Sequence, residues 1–267
     1  MEEGFLESSE VEDSHFILDR LHGLEKLIPS ELLDQVLIES GLHLQKACKL
    51  SHHVMLWVVL AMGLLTHLPI RQVFKHARRM YYGEKTPARS SLCEARQRLG
   101  VDPVRRLHQK VVRPLATPDT PGAFYDGWRL MAIDGSVYDA PDTPANRLKF
   151  DRADGGRGEG AFPQVRKVSL VEIGTHLEID LVIGGWQHGE VPLARQLYER
   201  LPEDSLLLAD CAFYCIEDWK MLDEKGIKLL FRVGDSPILK PTQRLADGSY
   251  LAMMYGHSYS EGMRDEG

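Results

Sequence analysis

The reading of LLLADCAFY, residues 206–214, decides the fold. Leu206 to Ala209 form a short apolar run, the pattern of a strand buried on both faces, and Asp210 stands where the run fades. LMAIDGS, residues 130–136, repeats the design: an apolar strand, then Asp134, then small residues. If the two strands lie side by side, both carboxylates emerge at one edge of the sheet. Two like charges held together are costly unless a cation neutralises them or one is protonated. Hard oxygen ligands suit Mg²⁺ (or Mn²⁺), so a metal site at Asp134 and Asp210 is the sharp reading. The plain alternative is that each Asp caps a following turn by accepting backbone N–H groups.

The neighbouring segments extend an α/β pattern. KVSLVEI (167–173) and HLEIDLVIGGW (176–186) predict two strands joined by a turn at Gly174-Thr175, hence a hairpin. EVPLARQLYERL predicts an amphipathic helix with Leu193, Leu197 and Leu201 inward. IEDWKMLDEKG predicts a helix that stops at Gly226, and KLLFRV one more strand. The expected order is strand, hairpin, helix, strand, helix, strand, with the central strands ending in Asp134 and Asp210.

Upstream, the pattern is helical. SELLDQVLIESG offers Ser30 as an N-cap, an apolar face of Leu33, Val36 and Leu37, and Gly41 as the stop. VMLWVVLAMGLL (54–65) is apolar on every side but far short of the ~20 residues of a membrane span, so it predicts a buried helix. In PIRQVFKHARRMYY, Ile70, Val73, Phe74, Ala77 and Tyr81 recur at helical spacing, opposite Arg71, Lys75, Arg78 and Arg79. Ser91 to Glu94 fits a capping box for the next helix, which carries Arg89, Arg96 and Arg98 around its start and along its length. Asp102-Pro103 then caps a helix with Val104, Leu107 and Val111 inward and Arg105, Arg106, Lys110 and Arg113 outward. Two short basic helices joined near Gly83–Pro87 are compatible with a helix-turn-helix.

Composition adds a charge asymmetry. The 267 residues carry a net charge of −7, yet residues 71–113 hold 12 basic and 3 acidic side chains. A basic block inside an acidic chain is the footprint of a surface that meets phosphates; solvated helix faces give the same composition. The four cysteines lack zinc-site spacing and predict reduced thiols in a cytoplasmic protein. MEEGFLESSEVED has no apolar core of a signal peptide, and no membrane association is expected.

IDGSVYDAPDTPANRLKF, GGRGEGAFPQVRKVSLVEIGTH and LLLADCAFY resemble the catalytic region of IS4-family insertion-sequence transposases. LIPSELLDQVL through ARSSLCEARQRLG resembles the N-terminal domain of the same family. The resemblance covers residues 14–250. It implies an α/β chain with an RNase H-like catalytic domain, a mixed sheet with helices, preceded by an all-α DNA-binding domain. It implies a DDE site whose first two acids are Asp134 and Asp210. The expected partition is an acidic disordered tail at 1–13, a helical domain at 14–116, a linker at 117–128, a partial catalytic domain at 129–250 and an irregular tail at 251–267.

The family's third acid is a Glu in the pattern Tyr-x2-Arg-x3-Glu-x6-Lys. Three residues past Tyr250, Tyr255 and Tyr259 stand Met253, Ser258 and Gly262, so the pattern is not met. Glu261 and Glu266 sit in a tail without apolar periodicity, and Glu217 and Asp218 lie just past the second Asp. A chain truncated before the third acid is the resulting expectation. Two functions follow. One is metal-dependent cleavage and transfer of DNA strands at terminal inverted repeats, with a homodimer on the DNA. The other is a catalytically inactive DNA-binding remnant that interferes with a full-length transposase. In either, Arg71, Lys75, Arg78, Arg79, Arg89, Arg96, Arg98, Arg157 and Arg166 are the expected DNA contacts. The GGRGEG loop, with Arg152, Arg157, Arg166 and Lys167 nearby, either holds a phosphate on its amides or is a plain loop.

Overall fold

A computed structural model of the chain describes residues 17–42, 49–78, 86–155, 158–234 and 239–253. The chain divides into two compact units, Met1–Val112 and Arg113–Gly267. Helices make up the regular structure of the first, and a mixed sheet organises the second.

The first unit holds α1 (residues 17–27), α2 (Ser30–Glu39), α3 (His52–Leu64), α4 (Ile70–Arg78), α5 (Arg89–Leu99) and α6 (Asp102–Val111) among its described residues. α3 is apolar all round because it is the central helix: Met55, Leu56, Trp57, Val58 and Ala61 are buried where α2, α4 and α5 pack on it. Each such side chain, fully buried, contributes roughly 1.5–3 kcal/mol of hydrophobic stabilisation. No helix among the described residues is long and apolar enough to cross a membrane.

Three caps differ from expectation. α2 begins one residue earlier than Ser30 as N-cap would have it: Pro29 is the N-cap, and Ser30 Oγ instead lies 3.3 Å from His53 Nε2. α5 begins at Arg89 behind an extended Ala88, which places Ser91 inside the first turn, and no side chain caps the helix. With Ala88 as the N-cap, the capping box at Ser91–Glu94 has no terminus left to serve. At α6 the N-cap is Val101 and not Asp102, which lies inside the helix and accepts from Arg106 Nε at 2.6 Å.

The second unit contains β1 (Phe124–Tyr125), β2 (Trp128–Asp139), α7 (Pro144–Phe150), β3 (Arg152–Gly155), β4 (Gly158–Glu172), β5 (Leu177–Gly185), α8 (Glu190–Ala194), β6 (Ser205–Ala209), α9 (Ile216–Glu224), β7 (Lys228–Phe231) and the hairpin strands β8 (Pro241–Arg244) and β9 (Tyr250–Ala252). β2 is central. β4 pairs antiparallel with it on one side and carries β5 antiparallel beyond; β6 pairs parallel on the other side and carries β7 parallel beyond. β1 adds to β2, and β3 pairs with the first part of β4. Parallel β6 and β7 require the crossover that α9 supplies.

One face of this sheet is closed. Met131, Ile133, Val168, Leu170 and Leu207 form a core with Leu193 and Leu197 from the α8 segment, Phe213, and Leu222 of α9. On the other face Leu206 and Leu208 are half-buried and Leu230 is 59% exposed. The expectation that Leu206–Ala209 is buried on both faces is therefore corrected. The α8 segment and α9 lie against the face of Leu207.

Three further expectations are revised. The segment 190–201 is not one helix: α8 has five residues and is followed by turns and a 3-10 turn at Tyr198–Arg200, though Leu193 and Leu197 do point inward. Residues 117–128 are not a free linker, since β1 pairs with β2 and Ala123 is buried. A side chain at Gly174 would sit 2.2 Å from Ala123 Cβ, so the β4–β5 turn needs glycine there to pack on this segment. The irregular tail expected from 251 overlaps β9. The acidic segment 1–13 lies outside the described residues.

Candidate active site

β2 and β6 are hydrogen-bonded neighbours running in the same direction, with Met131 opposite Leu207 and Ala132 opposite Leu208. Two residues further along each strand stand Asp134 and Asp210. The register therefore sets the two acids level, and the two-residue period of an extended strand turns them to the same side. That side is opposite the core, because Met131, Ile133 and Leu207 alternate with them and are buried. Both aspartates are exposed. One part of the expectation is corrected: Asp134 is not at a strand end. β2 runs on to Asp139 on its β4 side, and Asp134 lies where the β6 ladder has stopped.

Asp210 also does what the plain reading foresaw. Its Oδ1 accepts the Ala212 amide at 2.7 Å and caps the turn Cys211–Phe213, which drives Phe213 into the core. A capping contact of this kind fixes the carboxylate's orientation through one oxygen.

Beside Asp134, on β4, is its register partner Ser169, and on the same face follow Lys167 and, from β5, Glu178. Glu178 Oε2 accepts from Lys167 Nζ at 2.7 Å and from Ser169 Oγ at 2.8 Å. The hydrogen bond to Glu178 holds the Lys167 ammonium above its ordinary pKa, so the side chain stays charged. The alternation Lys167, Ser169 against buried Val168, Leu170 in KVSLVEI was the signal that these two share the face away from the core; the pairing with β2 puts them beside Asp134.

Arg166 does not join them. One residue from Lys167, it turns to the opposite face of β4 and stacks 5.2 Å over the Trp186 ring. Arg157 and Arg79 lie outside the described residues, as do Glu261 and Glu266, and Arg78 ends α4 with a side chain that is likewise not described. On either side of residues 156–157, which lie outside the described residues, β3 and β4 pair with Asp154 opposite Glu159 and Gly155 opposite Gly158. Arg152 is engaged with Asp142, as is Arg147.

The acids that follow Asp210 do not supply a third member of the pair. Asp218 is 4% exposed and held by Arg195 Nε at 2.7 Å, and Glu217 Oε2 lies 3.0 Å from Cys215 Sγ. Among the described residues, no group of three or more His, Cys, Asp or Glu side chains is arranged to hold a metal ion. The pair Asp134 and Asp210 suits a hard cation by donor chemistry, with two exposed carboxylates level on adjacent strands.

In the first unit, Val73, Phe74 and Ala77 are buried while Arg71 and Lys75 are exposed on α4. On α5, Leu92, Ala95 and Leu99 are buried while Arg89, Arg96 and Arg98 are exposed. α4 and α5 are neighbours on α3, so these five cations lie on the outward sides of adjacent helices.

Comparisons with known proteins found similarity to transposases. Residues 18–109 match the insertion element 4 transposase N-terminal domain. The chain is 32% identical over 197 residues to the transposase InsG for insertion sequence element IS4 of Escherichia coli K12, covering 73% of this chain and 44% of InsG. It is 27% identical over 203 residues to the putative transposase InsZ of the same strain, covering 74% of this chain and 66% of InsZ. The chain thus spans under half of the length of InsG and about two thirds of InsZ. A piggyBac transposase synaptic complex with hairpin DNA covers 78% of this chain and 42% of that chain at 15% identity, with a TM-score of 0.33, a likeness too slight to bear on function. The match of its N-terminal segment and these two relatives support an IS4-family transposase.

Proposed function

We propose that the chain binds DNA at the ends of an IS4-type insertion sequence and that Asp134 and Asp210 are the metal-binding acids for strand cleavage and transfer. The observation that carries this reading is the register of β2 and β6, which sets the two carboxylates level on one exposed face. The sheet order β5-β4-β2-β6-β7, with only the β4 strand reversed against its neighbours, supports an RNase H-like fold for this unit. Mg²⁺ or Mn²⁺ bound by such a pair supplies activation of a water or 3′-hydroxyl and neutralises charge at the leaving oxygen.

The residues of the chain do the rest. Asp210, pinned through Oδ1 by the Ala212 amide, offers a carboxylate of fixed direction, and Asp134 offers one from the middle of β2, where the strand is paired with β4. The exposed cations Arg71, Lys75, Arg89, Arg96 and Arg98, with Arg78 and Arg79 beside them in sequence, would hold DNA phosphates in an α-helical DNA-binding domain. The partners are double-stranded DNA at terminal inverted repeats and at the target, and a second copy of the chain on the DNA. The site of action is the cytoplasm.

The test is magnesium-dependent nicking of DNA carrying the element ends, with Asp134→Asn and Asp210→Asn as the decisive variants. Loss of nicking in both supports the reading; nicking that persists in either removes that residue from the site. A second reading, DNA binding without cleavage, is favoured by one observation: among the described residues no three His, Cys, Asp or Glu side chains are grouped to hold a metal ion. It predicts salt-sensitive DNA binding by a folded chain that nicks at no concentration of Mg²⁺ or Mn²⁺.

A further inference from the structure

Asp134 and Asp210 are exposed on one face, and a phosphodiester approaching two carboxylates is repelled unless cations stand close by. Lys167 is a basic side chain built into that face beside Asp134, with its direction fixed by an ion pair. It lies on β4 opposite Ser136, a diagonal neighbour of Asp134; such neighbours are ~7–8 Å apart, within reach of a lysine side chain. Its ammonium sits 2.7 Å from Glu178 and 5.8 Å from the Tyr138 ring centroid. Ser169 donates to the same Glu178 oxygen from the position opposite Asp134.

We propose that Lys167, aimed by Glu178 and Ser169, is a phosphate-binding residue that holds the DNA backbone against the Asp134 face. This rests on the DNA-processing reading given above. Glu178 does not use up the lysine. An ammonium has three donors, of which Glu178 takes one, and the pair is partly open, with side chains 24% and 34% exposed. Glu178 thus serves as a positioning residue: it removes the rotamer freedom that a lone lysine would lose on meeting a phosphate. Arg166, the basic neighbour, cannot take this role, since it is turned to Trp186 on the other side of the strand.

The experiment measures how affinity for a 40-base-pair duplex of random sequence falls with salt, using the full chain in metal-free buffer with chelator. Each phosphate contact contributes ~0.9 to the slope of log K against log salt. Lys167→Gln should lower the slope by about one, Lys167→Arg should preserve it, and Lys225→Gln, a lysine on Glu199 at the end of α9, should leave it unchanged. Lys167→Gln/Glu178→Gln removes the ion pair together and guards against a folding defect from a stranded Glu178; it should show the same loss of slope. An unchanged slope in that double variant, with wild-type thermal unfolding, overturns the proposal. Because no metal is present, failure of cleavage and failure of this contact are separate results: wild-type nicking with an unchanged slope sinks only Lys167. A lost slope unit in a chain that never nicks supports Lys167 and sinks only the cleavage role.

Discussion

Glu172, at the end of β4, is fully buried, and replacing it tests how the sheet unit is held together. Its Oε2 accepts the Leu115 and Ala116 amides at 3.0 Å each and the Thr175 hydroxyl, and its Oε1 receives Arg129 Nη1. One carboxylate thus ties the segment ahead of β1 to the central strand and to the β4–β5 turn. Glu172→Ala leaves two amides without acceptors and a guanidinium that is 16% exposed without its main partner. Breaking a buried pair from one side costs ~3–5 kcal/mol. Arg129 keeps the Ala116 carbonyl at 3.0 Å and a long contact to Asp204 at 3.8 Å, which argues for the lower end, about 3 kcal/mol by the same principle. In a unit of this size each kcal/mol moves the melting midpoint by ~2–4 °C, so a drop of roughly 6–12 °C is expected. Urea unfolding followed by tryptophan fluorescence, with Trp128, Trp186 and Trp219 as reporters of this unit, gives the measurement. A loss below about 1 kcal/mol, the worth of one ordinary hydrogen bond, would refute the reasoning. So would failure of Arg129→Met to recover part of the loss in the double variant.

The same carboxylate sets a pH dependence. Burial pushes its pKa up, but hydrogen bonds from Thr175, the Leu115 and Ala116 amides and Arg129 outweigh that, and the net result lies below the ordinary 4.5. A depressed folded-state pKa gives stability that is complete above 4.5 and lost as pH falls through the folded value; Glu172→Gln should flatten the acid limb of a stability–pH curve. Asp210→Asn keeps a capping oxygen, so it should abolish nicking at unchanged melting temperature, whereas Asp210→Ala should also lose ~0.5–2 kcal/mol by urea titration. Gly174→Ala drives a methyl to 2.6 Å from the Ala123 Cα, backbone that cannot swing away, and should cost ~1–3 kcal/mol or more in the same titration. Arg96→Glu/Arg98→Glu, both exposed on α5, should abolish salt-sensitive DNA binding while leaving the melting curve in place; unchanged binding would move the DNA surface elsewhere.

Local pattern carried a large part of this reading. The spacing of Val73, Phe74 and Ala77 identified the buried side of α4 and left Arg71 and Lys75 outside, because a helix repeats every 3.6 residues whatever surrounds it. The all-round apolarity of Val54–Leu65 marked a central helix for the same reason. Capping was less legible. Ser30 and Ser91 have the right chemistry for a cap, but the helices start where Pro29 and Ala88 leave the extended region, and that start decides which residue is the cap.

The candidate site divides along similar lines. Sequence by itself determined that Asp134 and Asp210 each follow an apolar strand, since apolar run, carboxylate and small residue are adjacent in the chain. Only tertiary structure decided that the strands are neighbours in register across 76 positions, that Lys167 shares their face while Arg166 does not, and that Glu172 grips amides 56 and 57 residues away. The physical reason is the period of a strand. A shift of one residue in pairing turns every side chain to the opposite face, so facing is a property of the ladder and not of any segment read alone.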